Sequence, residues 1–274
     1  MTGKKEQQTP EIPATAGIPF DDRINETADL QELNITLIQQ YLRETNNALY
    51  HKAGDMDFYS LCRHLDLVGE MHGCLHPKNV GLLFFCLEPD KHFPSAQIDV
   101  IHFSDAAEEK PSIKEMFSGP LPHQLRAALL HIRNSVITEK IIKQPDVAEA
   151  KRYFNYSYEA IAEALAIAVC CKDYETDKPV EVHILPDRIE IWSHLGVGQF
   201  IDVGGSEIRY LNRRIYEFMK ELRLTEDENT RFQKIKRAFR CNCSQKTLGD
   251  MDEKCSDFRV TIYSHPEYCI GKWC

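Results

Sequence analysis

The sequence lacks the patterns that would assign it at once to several large protein classes. It contains no run of about 18 apolar residues, and residues 1–13 are polar, so it predicts neither a membrane-spanning helix nor a secretory signal. The phosphate-loop pattern GxxxxGKS/T is absent, as are the patterns GxGxxG and GxSxG. These absences argue against a P-loop helicase, a Rossmann enzyme and a serine hydrolase. We expect a cytoplasmic protein that has no membrane partner.

Basic charge and regularly spaced cysteine pairs are also missing. The formal net charge is −9 and the isoelectric point is about 5.7, which argues against a nucleic-acid groove formed by this chain alone. Ten cysteines are present, but none forms a CxxC pair. Half of them lie near the C-terminal end, at Cys241, Cys243, Cys255, Cys269 and Cys274. Free thiols are the simpler interpretation of this group, and a structural zinc site is the alternative.

The length and the apolar content are sufficient for a folded core. With 274 residues and 43% hydrophobic side chains, the chain fits one large domain or two small ones. Residues 1–28 are polar and rich in Lys, Gln, Thr and Pro, which predicts a flexible tail. Residues 29–112 predict a linker segment of helices and strands, which is either winged-helix-like or simple packing.

Residues 158–174, with the sequence YEAIAEALAIAVCCKDY, form the most apolar helical pattern in the chain. Ile161, Leu165 and Ala168 fall on one stripe, and alanines widen it until only a narrow polar face remains. Such a helix is predicted to be largely buried. Glu163 lies in the middle of it, and a buried carboxylate is found where it has a partner or a function.

A strand pattern directly follows this helix. Residues 180–184 and 189–191 alternate apolar and polar side chains, and Pro186 and Asp187 lie between them, which predicts a two-stranded hairpin. Residues 80–86 are a short apolar run that fits either a strand or a helix. Apolar spacing also predicts strands at 97–103 and 257–263, and helices within 33–42, 58–67, 121–136 and 215–222. The mixture of elements predicts an α+β fold.

Two further stretches have ambiguous chemistry. Glycines are concentrated in residues 195–205, which predicts a loop, and Gly196 and Gly198 within it form a GxG pattern that is typical of turns as well as of phosphate cradles. Residues 234–240 predict a basic helix. A solvated face is the simpler interpretation of that helix, and contact with nucleic acid is the alternative.

Several runs, taken in order, resemble one known family. They are NVGLLFF, FPSAQIDVIHF, SGPLPHQLRAAL, FNYSYEAIAEAL, PVEVHILPDRIEI, NRRIYEFMKELRLTE and FRVTIYSHPE. They are similar to bacterial and archaeal transcriptional regulators that carry a GHKL-type ATPase domain, over about residues 19–267. The resemblance implies that residues 113–274 form a GHKL-type ATPase-like domain, which is an α/β sandwich with a helical layer on a mixed sheet. It also implies the cofactors ATP and Mg²⁺.

Members of this family often carry an Alb-like, Schlafen-type DNA-binding domain, which this sequence does not contain. The resemblance therefore implies that DNA is reached through a partner chain or a missing domain. It also allows a homo-oligomer.

The resemblance implies a catalytic role for Glu163. In the family a long helix carries a Glu-x-x-x-Asn pattern, whose glutamate activates the attacking water and whose asparagine helps to hold Mg²⁺. Glu163 occupies the glutamate position, but the asparagine position is Ile167. An aliphatic side chain cannot ligate Mg²⁺, which requires oxygen donors. Binding of Mg²⁺ is therefore not expected, and the metal ligands are predicted to be lost.

The resemblance also implies a set of nucleotide contacts. They are Asp173, Gly196, Gly198, Asn212, Arg213 and Thr230. The glycine-rich phosphate loop of the family is expected after residue 226, where this chain reads DENTR. Two acids and added side chains disfavour a triphosphate there. We therefore predict an ATP-binding module with a degenerate site and weak or absent hydrolysis, and the alternative is a non-catalytic scaffold or dimerisation domain of a DNA-binding regulator.

Overall fold

The computed structural model describes residues 18–104, 111–142, 151–195, 212–225 and 257–269. The helices within these residues are α1 (Ile35–Glu44), α2 (Phe58–His64), α3 (Asn79–Phe85), α4 (Leu121–Ser135), α5 (Tyr158–Cys171), α6 (Arg213–Glu221) and α7 (Pro266–Cys269). The strands are β1 (Val68–Met71), β2 (Cys74–Pro77), β3 (Ile98–Phe103), β4 (Pro111–Phe117), β5 (Glu139–Ile142), β6 (Lys151–Phe154), β7 (Val180–Ile184), β8 (Arg188–His194) and β9 (Asp257–Tyr263). Short 3-10 helices lie at Phe20–Asp22, Leu30–Glu32, Ala48–His51 and Pro89–Lys91.

The main sheet has five strands in the order β4-β3-β7-β8-β9. Strands β3 and β7 are parallel, and the other neighbours are antiparallel. The chain leaves β3 toward β4 on one side, and it leaves β7 toward β8 on the other side. Strands β1 and β2, and likewise β5 and β6, form antiparallel two-stranded ribbons. The predicted α+β fold is confirmed, and its sheet is mixed.

Helices α4 and α5 lie on one face of this sheet. Helix α5 contacts β8, β9 and α4, while α4 contacts β3 and β4. The strand residues that face them are fully or almost fully buried, and they are Ile98, Val100, Val182, Ile189, Ile191 and Phe258. In β7 buried and half-buried residues alternate with the period of two, whereas 98–101 in β3 and 189–191 in β8 are buried on both faces of the sheet. Burial of each such side chain stabilises the fold by about 1.5–3 kcal/mol.

The N-terminal part of the chain packs against the same core. Helix α3 contains the apolar run whose secondary structure was ambiguous, and every residue of Asn79–Phe85 is buried. Helix α3 contacts α1 and α4, and its Phe84 and Phe85 rings lie 5.2 and 5.9 Å from the ring of Phe218 in α6. Gly81 lets α3 lie close to the backbone of Leu67, just before β1, because a Cβ at position 81 would lie 2.9 Å from the carbonyl oxygen of Leu67.

The predicted division of the chain into domains stays a prediction. A continuous core connects residues from Phe20 to Ile262, and strand β4 spans the boundary predicted after residue 112. Helices α1 and α2 are followed by the β1–β2 ribbon, and the choice between a winged-helix-like segment and simple packing stays open. The glycine-rich stretch after Leu195, the basic helix at 234–240 and the cysteines at 241, 243, 255 and 274 lie outside the described residues.

Candidate functional site

Helix α5 places Glu163 inside the protein. Ser157 caps the helix, since its hydroxyl oxygen accepts a hydrogen bond of 3.3 Å from the backbone N–H of Ala160. Glu163 lies in the second turn and is only 7% exposed. The hydroxyl group of Thr225, which follows α6, donates a hydrogen bond of 3.0 Å to Oε1 of Glu163. The carboxylate is therefore buried in contact with a polar partner, as a buried charge requires.

Ile167 lies one helical turn after Glu163, and it is 1% exposed. Residues four apart on a helix share a face, so a metal ligand at this position would lie beside the carboxylate. The aliphatic side chain is part of the hydrophobic core instead. Within the described residues, no group of three or more His, Cys, Asp or Glu side chains is arranged to hold a metal ion. The residues around Glu163 therefore do not fit a Mg²⁺ site.

A buried lysine lies at the C-terminal end of α5. Lys172 is 1% exposed, and its ammonium group donates hydrogen bonds to the hydroxyl of Ser95 at 2.9 Å and to the carbonyl of Asp173 at 2.8 Å. The same group lies 5.1 Å from the centre of the Tyr174 ring. Burial lowers the pKa of Lys172 to about 8, although the charges of Asp173 and Asp177 oppose the shift.

The predicted nucleotide contact Asn212 binds the backbone at the end of α5. Its side-chain amide donates to the carbonyls of Cys170 at 3.1 Å and Lys172 at 2.7 Å. Helix C-termini leave such carbonyls without intrahelical partners, so the amide satisfies groups that would otherwise be buried unpaired. Asp173, which is half-buried beside this point, accepts a hydrogen bond of 2.9 Å from the N–H of Glu175 and donates its own N–H to His194. The structure thus brings Asp173 and Asn212 to the same end of α5.

The other predicted contacts are placed differently. The side chain of Arg213 is 80% exposed and forms an ion pair of 2.8 Å with Glu217, one turn further along α6. Exposed pairs of this kind contribute little to stability. Gly196, Gly198 and Thr230 lie outside the described residues. As assignments to nucleotide binding, all six positions stay predictions.

Asp21 binds the first turn of α6, close to Asn212 in the sequence of contacts around the end of α5. Nothing in the local sequence predicts this contact. Its carboxylate is fully buried and accepts hydrogen bonds from the backbone N–H groups of Arg214 at 2.6 Å and Ile215 at 3.0 Å. These N–H groups open helix α6, whose positive end favours an anion. Burial nevertheless dominates, and it raises the pKa of Asp21 to about 6. Because the partners are 193 and 194 residues away, no local pattern could have identified the contact.

The described residues define an α+β protein in which a helical layer covers one face of a mixed five-stranded sheet. The sequence matches no protein-family model and no curated protein. Among solved structures, the chain is similar to the DIP2311 protein from Corynebacterium diphtheriae, with a TM-score of 0.64 and 15% sequence identity. The match covers 92% of this chain and 49% of that one, so the chain spans about half the length of this neighbour. At this identity the likeness shows a common fold and does not extend to function.

None of the helices in the described ranges has the length and apolar character needed to cross a lipid bilayer.

Proposed function

We propose that this chain is a GHKL-type module of a transcriptional regulator, in which the Mg–nucleotide site has degenerated. ATP is then bound weakly or not at all, and its hydrolysis is weak or absent. The ordered sequence runs that resemble this family support the proposal. A helical layer on one face of a mixed sheet, with Glu163 on a buried helix of that layer, is consistent with it.

The observation that carries the proposal is the pair Glu163 and Ile167 on one face of α5. A carboxylate that activates water for phosphoryl transfer needs Mg²⁺ nearby to neutralise the phosphate charge. Ile167 offers no oxygen donor, and it is packed in the core. The chain therefore retains the position of the base and lacks the adjacent metal ligand.

The surroundings of Glu163 also disfavour turnover. Its Oε1 atom accepts a hydrogen bond from Thr225, and the side chain is almost completely buried. A general base must lie within hydrogen-bond reach of the water that it deprotonates. One carboxylate oxygen is bound to the hydroxyl of Thr225, and little of the side chain is open to solvent. The carboxylate therefore links α5 to Thr225, the residue that follows α6.

A second candidate function is a non-catalytic scaffold or dimerisation domain, and the contacts of Asn212 favour it. The Nδ2 group of Asn212 donates to two carbonyl groups at the α5 terminus, and the side chain of Arg213 is largely exposed. Two side chains that the family resemblance assigns to nucleotide binding therefore have roles in the fold and on the surface. In this case DNA is contacted through a partner chain or a further domain, and a cytoplasmic homo-oligomer is the working arrangement.

Titration with a fluorescent ATP analogue, with and without Mg²⁺, tests the first function. We expect the unmodified chain to show no Mg²⁺-dependent binding and no phosphate release. Ile167→Asn restores an oxygen donor at the metal position, and Leu165→Asn is the matched control because it buries the same amide elsewhere on α5. A gain of Mg²⁺-dependent binding in Ile167→Asn alone supports a degenerate nucleotide site.

Two other outcomes are informative. If both variants and the unmodified chain stay inert while remaining folded, the site has lost more than its metal ligand, and the scaffold function is preferred. Tight Mg²⁺-dependent binding with turnover by the unmodified chain would contradict the proposed degeneracy.

A further inference from the structure

A cavity of about 190 Å³ lies at the carboxyl ends of the parallel strands β3 and β7. The chain leaves these two strands in opposite directions, toward β4 and toward β8. In open sheets this arrangement creates a crevice, and ligands of α/β proteins bind in such crevices. The cavity lies beside Tyr156, before the start of α5, and it shares none of its described lining with the surroundings of Glu163.

The lining combines an apolar wall with a few hydrogen-bonding groups. Ile184 and Leu185, at the end of β7, contribute the wall. His102 from β3, Ser135 from the end of α4, and Ser264 and Tyr268 near the end of the described chain contribute an imidazole and three hydroxyl groups. The lining is therefore mixed, and apolar walls with polar groups at defined positions are the usual elements of a small-molecule site. None of the described residues that line it is charged.

The imidazole of His102 is neutral in this environment. Burial lowers its pKa, and the neighbouring His131, whose ring centre lies 5.9 Å away, lowers it further, while Glu115 opposes the shift. A neutral imidazole offers one N–H donor and one acceptor nitrogen. Among the described residues, no hydrogen-bond partner of this ring occurs, so both groups are available to a ligand.

We propose that this cavity binds a small, uncharged, single-ring molecule with hydrogen-bonding groups on its edge. The volume corresponds to roughly six water molecules, which suits one heteroaromatic ring and excludes a nucleotide. A charged ligand would lose its hydration without gaining a counter-charge from the described lining, whereas a polar ring gains hydrogen bonds from His102 and Ser135. This site does not depend on the proposed nucleotide function.

Saturation-transfer NMR on the full chain tests the proposal with defined probes. Uracil and nicotinamide are uncharged single rings with polar edges, and benzoate is a charged ring of similar size. We expect at least one of the uncharged probes to bind and benzoate to bind at least tenfold more weakly. His102→Phe keeps an aromatic ring of slightly larger size and removes both nitrogens, so it is expected to weaken binding at least tenfold.

Two further variants complete the experiment. Ser135→Phe is expected to block the cavity from its exposed rim with no effect on the fold, because the serine is solvent-exposed. His64→Phe, at an exposed position on α2, is the matched control and should bind as the unmodified chain does. Absence of binding by both uncharged probes up to their solubility limits overturns the proposal. Binding that survives in both His102→Phe and Ser135→Phe overturns it too, because the probe then lies elsewhere.

Discussion

Replacement of Lys172 by methionine is expected to change how stability depends on pH. Burial lowers the pKa of this lysine from 10.5 to about 8. A shift of this size corresponds to a penalty of about 3 kcal/mol for burying the protonated amine. Below about pH 8 the amine is protonated in the folded and the unfolded chain, and the whole penalty applies. Between about pH 8 and pH 10.5 the folded chain loses the proton first, and the penalty is relieved.

The free energy of unfolding of the unmodified chain should therefore rise relative to that of Lys172→Met as the pH increases. The difference is expected to change by about 1.4 kcal/mol between about pH 7 and pH 9. The absolute difference at neutral pH is less informative. Methionine removes the buried charge but leaves the hydroxyl of Ser95 and the carbonyl of Asp173 without their donor, which costs about 1–3 kcal/mol and offsets much of the gain.

Urea denaturation at several pH values measures this slope directly. Lys178→Met is the control, since Lys178 is an exposed lysine on the same connection between α5 and β7. Its stability relative to the unmodified chain should be independent of pH over this range. Parallel pH profiles for the unmodified chain and Lys172→Met would refute the reasoning, because they would mean that the buried amine does not titrate in this range.

Two further expectations concern the supports of α6 and the end of α5. In the unmodified chain the pKa of Asp21 is raised from 3.8 to about 6, whereas the side chain of Asp21→Asn stays neutral. As the pH rises through this interval, the free energy of unfolding of the unmodified chain should fall by about 3 kcal/mol relative to that of the variant. Urea midpoints that shift equally in both proteins would disprove this. Asn212→Ala removes the donor of two buried carbonyl groups and should lower the free energy of unfolding by about 2 kcal/mol. Arg213→Ala, at an exposed position, should change it by less than about 0.5 kcal/mol. Equal losses of stability in thermal denaturation would argue that Asn212 does not cap α5.

Local sequence patterns predicted most of the regular structure, because the periodicity of a helix or strand follows from which of its faces is buried. Residues 158–174 were predicted as a buried helix, and α5 spans Tyr158–Cys171. The hairpin that follows corresponds to β7 and β8, which pair in an antiparallel register. The run at 80–86 could not be assigned, since a segment that is buried on every side carries no periodicity. It forms α3 and is buried along its whole length.

The candidate site was predicted less completely, because its contacts join distant parts of the chain. The sequence singled out Glu163 as a carboxylate inside an apolar helix, but the hydroxyl that it binds belongs to Thr225, 62 residues later. Asn212 was assigned by resemblance to nucleotide binding, and its bonds to carbonyls 42 and 40 residues earlier have no local signature. The cavity at the ends of β3 and β7 depends on strand order, which a single sequence does not display.

The bonds from Asp21 to the first turn of α6 constrain how the chain acquires its structure. The acceptor lies at the beginning of the described chain and its donors lie 193 and 194 residues later, so a growing polypeptide contains the carboxylate long before its donors emerge from the ribosome. Until α6 is synthesised, burial of Asp21 lacks the hydrogen bonds that offset its cost. Final consolidation around α5 is therefore expected to wait until α6 is available and to be cooperative, with the contact between Asp21 and α6 forming in the same step.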